Sequence, residues 1–574
     1  MIEVAGLSLS LDAALEGNAD KEREEIANQL AVSPDGIQSL VLLKRSVDAR
    51  KKTWVHFTNT YRIELDTETE ARLLACAPKG LNVQTPRNPV ELELVKVSRP
   101  KVVPIVVGTG PAGLFAAWYM ARCGLCPMVI ERGAPVDERK YDVHNFFETG
   151  SLNSESNIAF GEGGAGTFSD GKLTTNTKNP LTKYVLQWFV EAGAPREILT
   201  EAHPHLGSDN LPSIVRAMRQ EIISLGGTVS FHTKMTDLRF EDGHVAALET
   251  EDLLTGQRRW HDASCVILAC GHSARDVFKL CRDKGLAMEQ KSFSIGVRIE
   301  HFQRDINKSQ WAQASEHPAL GAAEYKLAAH LPNNRSVYTF CMCPGGEVVP
   351  AASEEGGVVT NGMSNFARDG QNANAALLVN VDPRDFGSDN VLAGVNLQRS
   401  IERRAFLMAL SRGGSSYQAP CQRVGSFLHD MGCDDFINTA LSKKTKKHKT
   451  KTNHQKGPEP TYKRGVVEAP IKNCFPDFIN ESLAQALPLL GRKLRGFDDP
   501  YALMTAPETR SSSPVRIKRT KDFQAWFSSS EKSTGIFPCG EGPGFAGGIM
   551  SAAVDGLRVG RAVARHYVQN EAPL

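Results

Sequence analysis

The chain of 574 residues lacks several features that would place it in a special class of protein. Its charges nearly cancel, with 67 lysines and arginines against 65 aspartates and glutamates, so the whole chain is not expected to bind nucleic acid or an anionic membrane by charge. No apolar run approaches the length of about 18 residues that crosses a bilayer, and no signal-peptide pattern opens the chain. The 12 cysteines follow no regular spacing, which excludes a disulfide framework and predicts a cytoplasmic protein.

What is present is typical of a large soluble globular chain. Hydrophobic residues make up 41% of the sequence and charged residues 23%. At about 150 residues per domain, the length predicts about three to four domains' worth of chain, enough for a core that needs neither disulfides nor a structural metal.

The first hundred residues predict a separate small domain. Alternating or continuous apolar residues indicate strands, and charged stretches between them indicate two short helices. The predicted elements are a strand over Ile2–Leu9, a helix over Lys21–Leu30, strands over Ile37–Val47 and Trp54–Leu65, a helix over Glu68–Ala75 and a strand over Val90–Val97. This βαββαβ order predicts a ferredoxin-like domain over residues 1–98.

The strongest local signal is the glycine-rich segment Gly108–Gly113 (GTGPAG). It follows the apolar run Val102–Val107 and precedes the helical stretch Leu114–Cys123. Such a turn lets backbone N–H groups and the positive end of a helix meet a diphosphate. Glu131 follows eighteen residues after Gly113, at the end of a second apolar run, where a carboxylate binds ribose hydroxyls. The spacing therefore predicts a dinucleotide site in a doubly wound parallel sheet.

The order of the remaining signals predicts an α/β fold in which this domain is split. Its pieces are residues 101–290 and 525–574, and a β-rich substrate domain over 291–524 is inserted between them. The segment Gly161–Gly166 also has the spacing G-x-G-x-x-G, but no convincing apolar strand precedes it. We interpret it as a loop that approaches the dinucleotide. No second strand–glycine turn–helix unit for NAD(P)H is visible, so a nicotinamide donor would bind transiently or in an atypical pocket.

Three dispersed segments resemble the FAD motifs of the glutathione-reductase-like flavoprotein superfamily: GTGPAGLFAAWYMARCG, CVILACG at Cys265–Gly271, and the C-terminal stretch from Gly535 (GIFPCGEGPGFAGGIMSAAVDG). Cys270 and Glu541 stand where that superfamily has threonine and aspartate. The resemblance implies an FAD whose ribityl chain meets Glu541 and whose pyrimidine ring meets the start of the last helix. The residues that we expect to contact the FAD are Gly108, Gly110, Pro111, Ala112, Gly113, Glu131, Arg132, Arg139, Gly163, Gly164, Met235, Gly271, Gly540, Glu541, Gly547, Gly548 and Ile549.

Further segments resemble a bacterial family of uncharacterised FAD-dependent dehydrogenases over nearly the whole chain. They are NIAFGEGGAGTFSDGKL, SFSIGVRIE, TFCMCPGGEV, NGMS, ETRSSSPVR and the N-terminal KRSVDARKK. This resemblance implies a flavin-dependent oxidoreductase that acts on a small molecule, with the flavin supplying the redox chemistry. It does not indicate the substrate.

Several residues are candidates for the chemistry, and each also has a structural interpretation. Cys341 and Cys343 either face the flavin or, through strand alternation, share one face of the core. His203 and His205 lack a third metal ligand, but one of them could serve acid–base chemistry. The pair Cys123 and Cys126 has redox spacing, but its place after the first helix favours packing. The charged and phenolic candidates for binding an anion or donating a proton are Lys172, Arg298, Tyr325, Glu508 and Arg510.

The segment 441–457 contains seven lysines and no acidic residue. A solvated loop is the favoured interpretation, because no aromatic residue is present to stack a base. Three other functions stay open: a flavin monooxygenase, a tRNA-modifying flavoprotein that uses this segment and the N-terminal domain for RNA, and an interaction module in which FAD is structural and the N-terminal domain recruits a protein.

Overall fold

The computed structural model describes residues 1–86, 92–175, 178–434 and 456–571. Within these ranges, every helix is too short or too polar to serve as a membrane span. The lysine-rich segment lies almost entirely outside them, because residues 435–455 are not described. The proposals about that segment therefore stay predictions.

The N-terminal residues fold into one antiparallel sheet with two helices. Its elements are β1 (Ile2–Leu9), α1 (Ala19–Leu30), β2 (Ser39–Asp48), β3 (His56–Glu64), α2 (Thr67–Ala75) and β4 (Asn82–Gln84). The strand order is β2-β3-β1-β4, so β1 lies between two antiparallel neighbours. One apolar cluster, which includes Ile2, Ile26, Tyr61 and Leu73, joins the sheet to the helices.

The prediction of a fourth strand over Val90–Val97 is wrong. The fourth strand is Asn82–Gln84, and no strand forms over the described residues 92–97. Their backbone groups bind the next domain instead, because Val97 N–H donates to Cys123 O and Glu93 O accepts from the Tyr119 hydroxyl. The segment thus connects the two domains and does not extend the sheet.

The N-terminal sheet is docked on the rest of the chain at two places. Leu9 and Phe57 are buried in the core of the inserted region. The backbone of Arg45 exchanges two hydrogen bonds with the loop at Thr200 and Ala202, through Arg45 N–H to Thr200 O (2.7 Å) and Ala202 N–H to Arg45 O (2.8 Å). This loop continues toward the cavity described below.

A five-stranded parallel sheet forms the second unit, in the order β25-β11-β5-β6-β7. Four of its strands come from residues 105–268 and the fifth from residues 536–538, so both ends of the split domain build one sheet. The strands are β5 (Ile105–Val107), β6 (Met128–Ile130), β7 (Thr228–Ser230), β11 (Val266–Leu268) and β25 (Ile536–Pro538). β5 and β11 are completely apolar and buried, as expected for strands that are covered on both faces.

The sheet is surrounded by helices and a β-meander. The helices are α3 (Pro111–Arg122), α4 (Val136–Thr149), α5 (Leu181–Glu191), α6 (Leu211–Ser224), α7 (Arg275–Asp283) and, at the C-terminus, the long helix α12 (Ile549–Glu571). The meander has strands β8 (Thr233–Glu241), β9 (His244–Asp252) and β10 (Arg258–Asp262).

The inserted region contains a seven-stranded sheet and helices, so it is less purely β than expected. The sheet order is β14-β15-β18-β13-β21-β19-β20, with one parallel pair, β19 and β20. The strands are β13 (Phe293–Phe302), β14 (Ala328–His330), β15 (Ser336–Cys343), β18 (Asn372–Val381), β19 (Ala419–Arg423), β20 (Val466–Glu468) and β21 (Leu503–Glu508). The helices are α8 (Gln303–Trp311), α9 (Ala393–Ser411), α10 (Val424–Asp430) and α11 (Asp477–Lys493).

Short two-stranded pairings complete the described part of the fold: β12 (Met288–Gln290) with β22 (Val515–Ile517), β16 (Glu347–Pro350) with β17 (Thr360–Met363), and β23 (Trp526–Phe527) with β24 (Ser530–Ser533). The first pair joins the start of the inserted region to its end. The inserted sheet is therefore attached to the parallel-sheet domain by two neighbouring chain segments.

Small residues bring the helices α3 and α12 together. A Cβ on Gly556 would lie 2.3 Å from Ala112 O, and one on Gly560 would lie 2.9 Å from Ala116 O. Real side chains do not approach backbone oxygens this closely, so these positions exclude anything larger than glycine without movement of a helix. The close packing places the N-termini of both helices on the same side of the parallel sheet.

Candidate functional site: a cavity between the parallel sheet and the inserted sheet

A cavity of about 1070 Å³ lies between the two sheets. Its wall includes the turn after β5, the residues that precede α12, and the ends of β15 and β21 from the inserted sheet. Gly110 and Gly547, which belong to motifs more than four hundred residues apart, both line it. Parallel strands present their carboxyl ends here, which is where open α/β sheets bind ligands.

The turn Gly108–Gly113 has the close backbone contacts expected of a dinucleotide turn. Gly108 has a φ of +103°, and a Cβ there would lie 2.5 Å from Ala269 O. A Cβ on Gly113 would lie 1.9 Å from Gly108 O, so α3 can approach the strand only with glycine at this position. Gly110 caps α3 without a side chain. The first N–H groups of a helix lack intrahelical partners, and here they are available to an anion in the cavity.

Glu131 lies at the end of β6 and lines the cavity, but its carboxylate is already bound by the protein. Oε2 accepts hydrogen bonds from Thr109 N (2.9 Å) and Thr109 Oγ1 (2.8 Å), and Oε1 accepts from the N–H groups of Gly133 and Gly161 (both 3.0 Å). A carboxylate has about four acceptor positions. Glu131 therefore holds three loops around the turn, and the ribose contact expected from the sequence would compete with these bonds.

Arg139 does not contact the cavity, contrary to the sequence-based expectation. Its side chain is 0% exposed and donates to five backbone carbonyls of one loop, those of Asn157, Ile158, Gly161, Glu162 and Gly164, at 2.6 to 3.2 Å. The loop is the second glycine-rich segment, which touches the first where a Cβ on Gly164 would lie 2.9 Å from Gly110 Cα. Arg139 thus supports the cavity wall from behind, because its planar guanidinium satisfies carbonyls that a loop cannot pair internally.

The other cofactor positions divide into cavity-lining and buried groups. Those that line the cavity with Glu131 are Gly108, Gly110, Pro111, Ala112, Arg132, Gly164, Met235, Gly271, Glu541, Gly547, Gly548 and Ile549. Gly113, Gly163 and Gly540 are absent from its wall and lie behind it, where they allow close backbone packing. Arg132 is held by ion pairs to Asp276 (2.5 Å) and Glu155 (3.4 Å).

Glu541 and His272 form a titratable pair in the wall of the cavity. Both side chains line the cavity, and His272 Nδ1 lies 3.6 Å from Glu541 Oε1. Burial raises the pKa of Glu541 to about 7. Burial and the nearby charges of Arg510 and Arg275 lower the pKa of His272 to about 4. At pH 7 the carboxyl group of Glu541 is therefore about half protonated, while the imidazole of His272 is neutral.

We expect the substitutions Glu541→Gln and His272→Gln to change the pH dependence of thermal stability in opposite directions. The pKa of Glu541 is raised, so its contribution to stability is full below about pH 4.5 and is lost as pH rises through about 7. The pKa of His272 is lowered, so stability is lost as pH falls from about 6.5 through about 4. From pH 5 to pH 8, the melting temperature of the Glu541→Gln variant should therefore rise relative to that of wild type. The corresponding change in the free energy of unfolding is at most about 3 kcal/mol.

Melting curves of the two variants and of wild type at pH 5, 6, 7 and 8 measure this effect. The melting temperature of His272→Gln, compared with that of wild type, should fall as pH rises through the lower part of this pH range. Parallel curves for all three proteins would contradict the assignment of these two groups.

Two charged clusters also contribute residues to the cavity wall. Lys172 Nζ contacts Asp170 Oδ2 (3.0 Å) and Glu324 Oε1 (2.9 Å), and Arg368 binds the same two carboxylates from behind. Arg510 forms a two-point ion pair with Glu402, with N–O distances of 3.0 and 2.9 Å. Lys172 and Arg368 are matched by two carboxylates, whereas Arg510 shares Glu402 with Arg275, so an anionic ligand would meet cations that protein partners already hold in place.

Arg298 and Glu508 form a buried ion pair in the inserted sheet, and Glu508 lines the cavity. Arg298 Nε lies 2.6 Å from Glu508 Oε2, and Nη2 lies 2.9 Å from Oε1. The remaining donors of Arg298 bind Cys341 O (2.8 Å), Asn374 Oδ1 (3.0 Å) and Asn361 Oδ1 (2.9 Å). Burial alone would lower the pKa of Arg298, but the Glu508 carboxylate raises it above its usual value.

The remaining candidates differ in their distance from the cavity. Cys341, Tyr325 and His203 line it, whereas Cys343 and His205 do not. His205 stacks on Phe366 with ring centroids 4.9 Å apart, and its Nε2 hydrogen-bonds Phe366 O at 2.9 Å, which is a packing role. The cysteines of the Cys123–Cys126 segment lie at the end of α3, away from the wall of the cavity.

Sequence reasoning missed His272, Glu324 and Asn361, which also line the cavity. His272 directly follows Gly271 at the end of the apolar strand, so its position after a strand of the parallel sheet was a usable signal. Glu324 lies in the inserted region far from any motif in sequence, and Asn361 begins the segment NGMS, whose resemblance gave this residue no role. Only the folding of that region brings them to the cavity.

The fold and the site together define an α/β protein with a Rossmann-like parallel sheet and a second sheet, and a cavity lies between them. A family model described as "FAD-dependent protein, C-terminal domain-like" matches residues 292–511, and a model of a domain of unknown function matches residues 1–64. An uncharacterized protein of Clostridium beijerinckii is 40% identical over 572 residues, which cover 99% of this chain and 98% of the relative. The chain therefore belongs to the same family as this relative, and its residues 292–511 match the C-terminal domain model of FAD-dependent proteins.

Solved structures that are similar to this chain are more distant. A 3-ketosteroid Δ4-(5α)-dehydrogenase of Rhodococcus jostii RHA1 is 12% identical with a TM-score of 0.35, covering 80% of this chain and 96% of that chain. A flavocytochrome c3 fumarate reductase is 12% identical with a TM-score of 0.34, covering 89% of this chain and 82% of that chain.

The residues of the cavity fit an FAD. The first glycine turn holds α3 against its strand at a distance that a Cβ at Gly108 or Gly113 would prevent, and two helix N-termini face one continuous space. The cavity volume of about 1070 Å³ slightly exceeds the range of about 300–1,000 Å³ found for small-molecule and cofactor sites, so its size is compatible with a dinucleotide.

Proposed function

We propose that this protein is an FAD-dependent oxidoreductase that acts on a small molecule bound beside the flavin. The observation that carries the proposal is the shared cavity: Gly110 of the first nucleotide motif, Gly547 of the last, and the charged residues of the inserted region line the same space. A dinucleotide that fills the glycine-lined part leaves the part near Lys172, Cys341 and Arg510 for a substrate.

The protein's own groups would position the reactants. The N–H groups that open α3 would bind the diphosphate, and the positive N-terminal end of α12, at Gly547–Ile549, would favour negative charge on the flavin pyrimidine ring. FAD, when bound, supplies the two-electron chemistry. Burial raises the pKa of Glu541 to about 7, so near neutral pH both forms of this carboxyl group are populated and it can accept or deliver a proton in the cavity.

The substrate that fits best is a small polar or anionic molecule. The surrounding donors are Lys172, Arg510 and Asn361, all of which line the cavity and are fixed by protein partners. Fixed donors need no reorganisation when a ligand arrives, which favours both binding and stabilisation of developing negative charge. A monooxygenase would use the same layout, and reaction of the reduced protein with oxygen distinguishes it by accumulation of a flavin hydroperoxide absorbance.

The visible spectrum of the purified full-length protein tests the proposal. We expect a yellow protein with FAD bound at about one equivalent, whose absorbance bleaches with dithionite and returns with an electron acceptor. A folded protein that stays colourless and takes up no added FAD would falsify the proposed function. A protein that binds FAD but whose flavin no chemical reductant can reach would favour a structural role for the cofactor.

A further inference from the structure

Cys341 lies where β15 departs from regular strand geometry. The pairing of β15 with β18 is regular up to Phe340 and resumes at Cys343, so a bulge occupies the intervening residues. Cys341 has a φ of +42°, a left-handed conformation that is uncommon outside glycine, asparagine and aspartate. Phe340, Cys341 and Met342 all line the cavity. In a regular strand alternate residues would face opposite sides, so the bulge turns Cys341 toward the ligand space.

The bulge also brings Cys343 back toward Cys341. The Cys343 thiol donates to Cys341 O at 3.4 Å, and the ionisation of each thiol is affected by the other. Cys343 is fully buried, whereas Cys341 is partly exposed in the cavity. The expectation that strand alternation places both sulfurs on one core face is therefore wrong, because the bulge separates an accessible sulfur from a covered one.

Fixed charges surround the two sulfurs. Arg298 donates to Cys341 O at 2.8 Å and so holds the bulge in place. The Cys343 thiol, and then the positive charges of Arg298 and Lys172, favour the thiolate form of Cys341. Burial and Asp170 oppose this effect, and the pKa of Cys341 falls to about 6. Glu508 and Glu541 also face Cys341 across the cavity. An accessible thiolate next to a covered thiol is the arrangement of an attacking and a resolving cysteine.

We propose that Cys341 and Cys343 are a thiol–disulfide exchange pair and that the substrate of the cavity is a small disulfide. Cys341 Sγ attacks one sulfur of the substrate, forming a mixed disulfide while the second substrate sulfur leaves as a thiol. Cys343 Sγ then attacks Cys341 Sγ, forming the Cys341–Cys343 bond and releasing the other half as a second thiol. One disulfide is thereby reduced to two thiols, and the pair loses two electrons and two protons.

The return of the pair to the dithiol state rests on the proposed function, since the two electrons would come from reduced flavin. The exchange itself needs no flavin electrons. It can therefore be tested on the protein with oxidised flavin or with none, which separates the two proposals.

The test uses full-length protein and hydroxyethyl disulfide, with intact-mass and peptide mass spectrometry as readouts. In wild type we expect a Cys341–Cys343 disulfide and only a transient adduct. In Cys343→Ser the adduct should stay on Cys341. In Cys341→Ser neither product should form. Cys126→Ser, which changes a partly exposed cysteine outside the cavity wall, should behave as wild type. Modification of Cys341 should be on the order of tenfold faster than that of exposed Cys76.

Two results would overturn the inference: no adduct on Cys341 in Cys343→Ser, or no internal disulfide in wild type after the adduct has formed. If the Cys341→Ser variant does not fold, iodoacetamide competition in wild type replaces it, because alkylated Cys341 must block the internal disulfide. A protein that binds FAD but fails these tests overturns only the exchange pair. A colourless protein that passes them overturns only the flavin proposal.

Discussion

Replacement of Gly113 by alanine should leave a protein that no longer retains FAD. The added Cβ would lie 1.9 Å from Gly108 O and 3.0 Å from Gly108 C, inside the turn that approaches the diphosphate. Neither atom is the end of a flexible side chain, so α3 must move away from the strand. Its first N–H groups then leave the positions that an anion requires. We expect the apparent affinity for FAD to fall by about a hundredfold, which corresponds to about 2.7 kcal/mol.

Titration of apoprotein with FAD, followed by flavin fluorescence, measures this loss. The control is Gly321→Ala, because a Cβ there meets nothing within 4 Å and Gly321 lies outside the cavity wall. A second variant, Gly108→Ala, should act in the same direction, since its Cβ would lie 2.5 Å from Ala269 O. Unchanged affinity in Gly113→Ala would show that the dinucleotide does not use this turn.

Loss of Arg298 should be the most destabilising single change in the inserted sheet. Arg298 is 0% exposed and donates to Glu508 and to three further oxygens. In Arg298→Met the Glu508 carboxylate would be buried without its counter-charge, which costs about 3–5 kcal/mol. Arg298→Lys should recover only part of this, because an ammonium cannot make the two-point contact or reach all the acceptors.

The double variant Arg298→Met, Glu508→Gln separates loss of the pair from loss of the other contacts. It should be more stable than the sum of the single effects predicts, because the uncompensated charge is gone. Urea denaturation followed by tryptophan fluorescence gives the midpoints, and FAD titration shows whether the glycine turn is intact. The expectation fails if Arg298→Met changes stability by less than about 1 kcal/mol.

Much of the nucleotide-binding part of this protein was predictable, because its signals are local. A turn between a short strand and a helix needs glycine where backbones nearly touch, and Gly108 and Gly113 show these contacts directly. The apolar strands of the parallel sheet were predictable for the same reason, since burial on both faces makes them apolar at nearly every residue. Most predicted boundaries differ from the observed ones by up to three residues. The strand predicted over Val90–Val97 does not form over the described residues 92–97, because backbone groups there bond to Tyr119 and Cys123 at the end of α3.

The substrate side of the cavity was less predictable. Arg139 was expected to contact the nucleotide, but its five hydrogen bonds go to carbonyls of a loop that has no repeating pattern. Glu131 lines the cavity as expected, but it also binds three loops, and its contact with a ribose stays a prediction. For both residues, type and spacing correctly indicated a strong hydrogen-bonding side chain near the site. The groups that these side chains bind lie on loops, whose positions no periodic sequence pattern predicts.

The sequence by itself determined that a parallel sheet begins with a glycine turn and ends with a glycine-rich helix start, because these features depend on contacts between near neighbours in the chain. Only the tertiary structure decided which side chains meet across the cavity. Arg298 reaches Glu508 over 210 positions, and a single bulge turns Cys341 into the cavity while Cys343 stays covered. Such placements depend on register and on packing between sheets, where a shift of one residue reverses the face of every side chain.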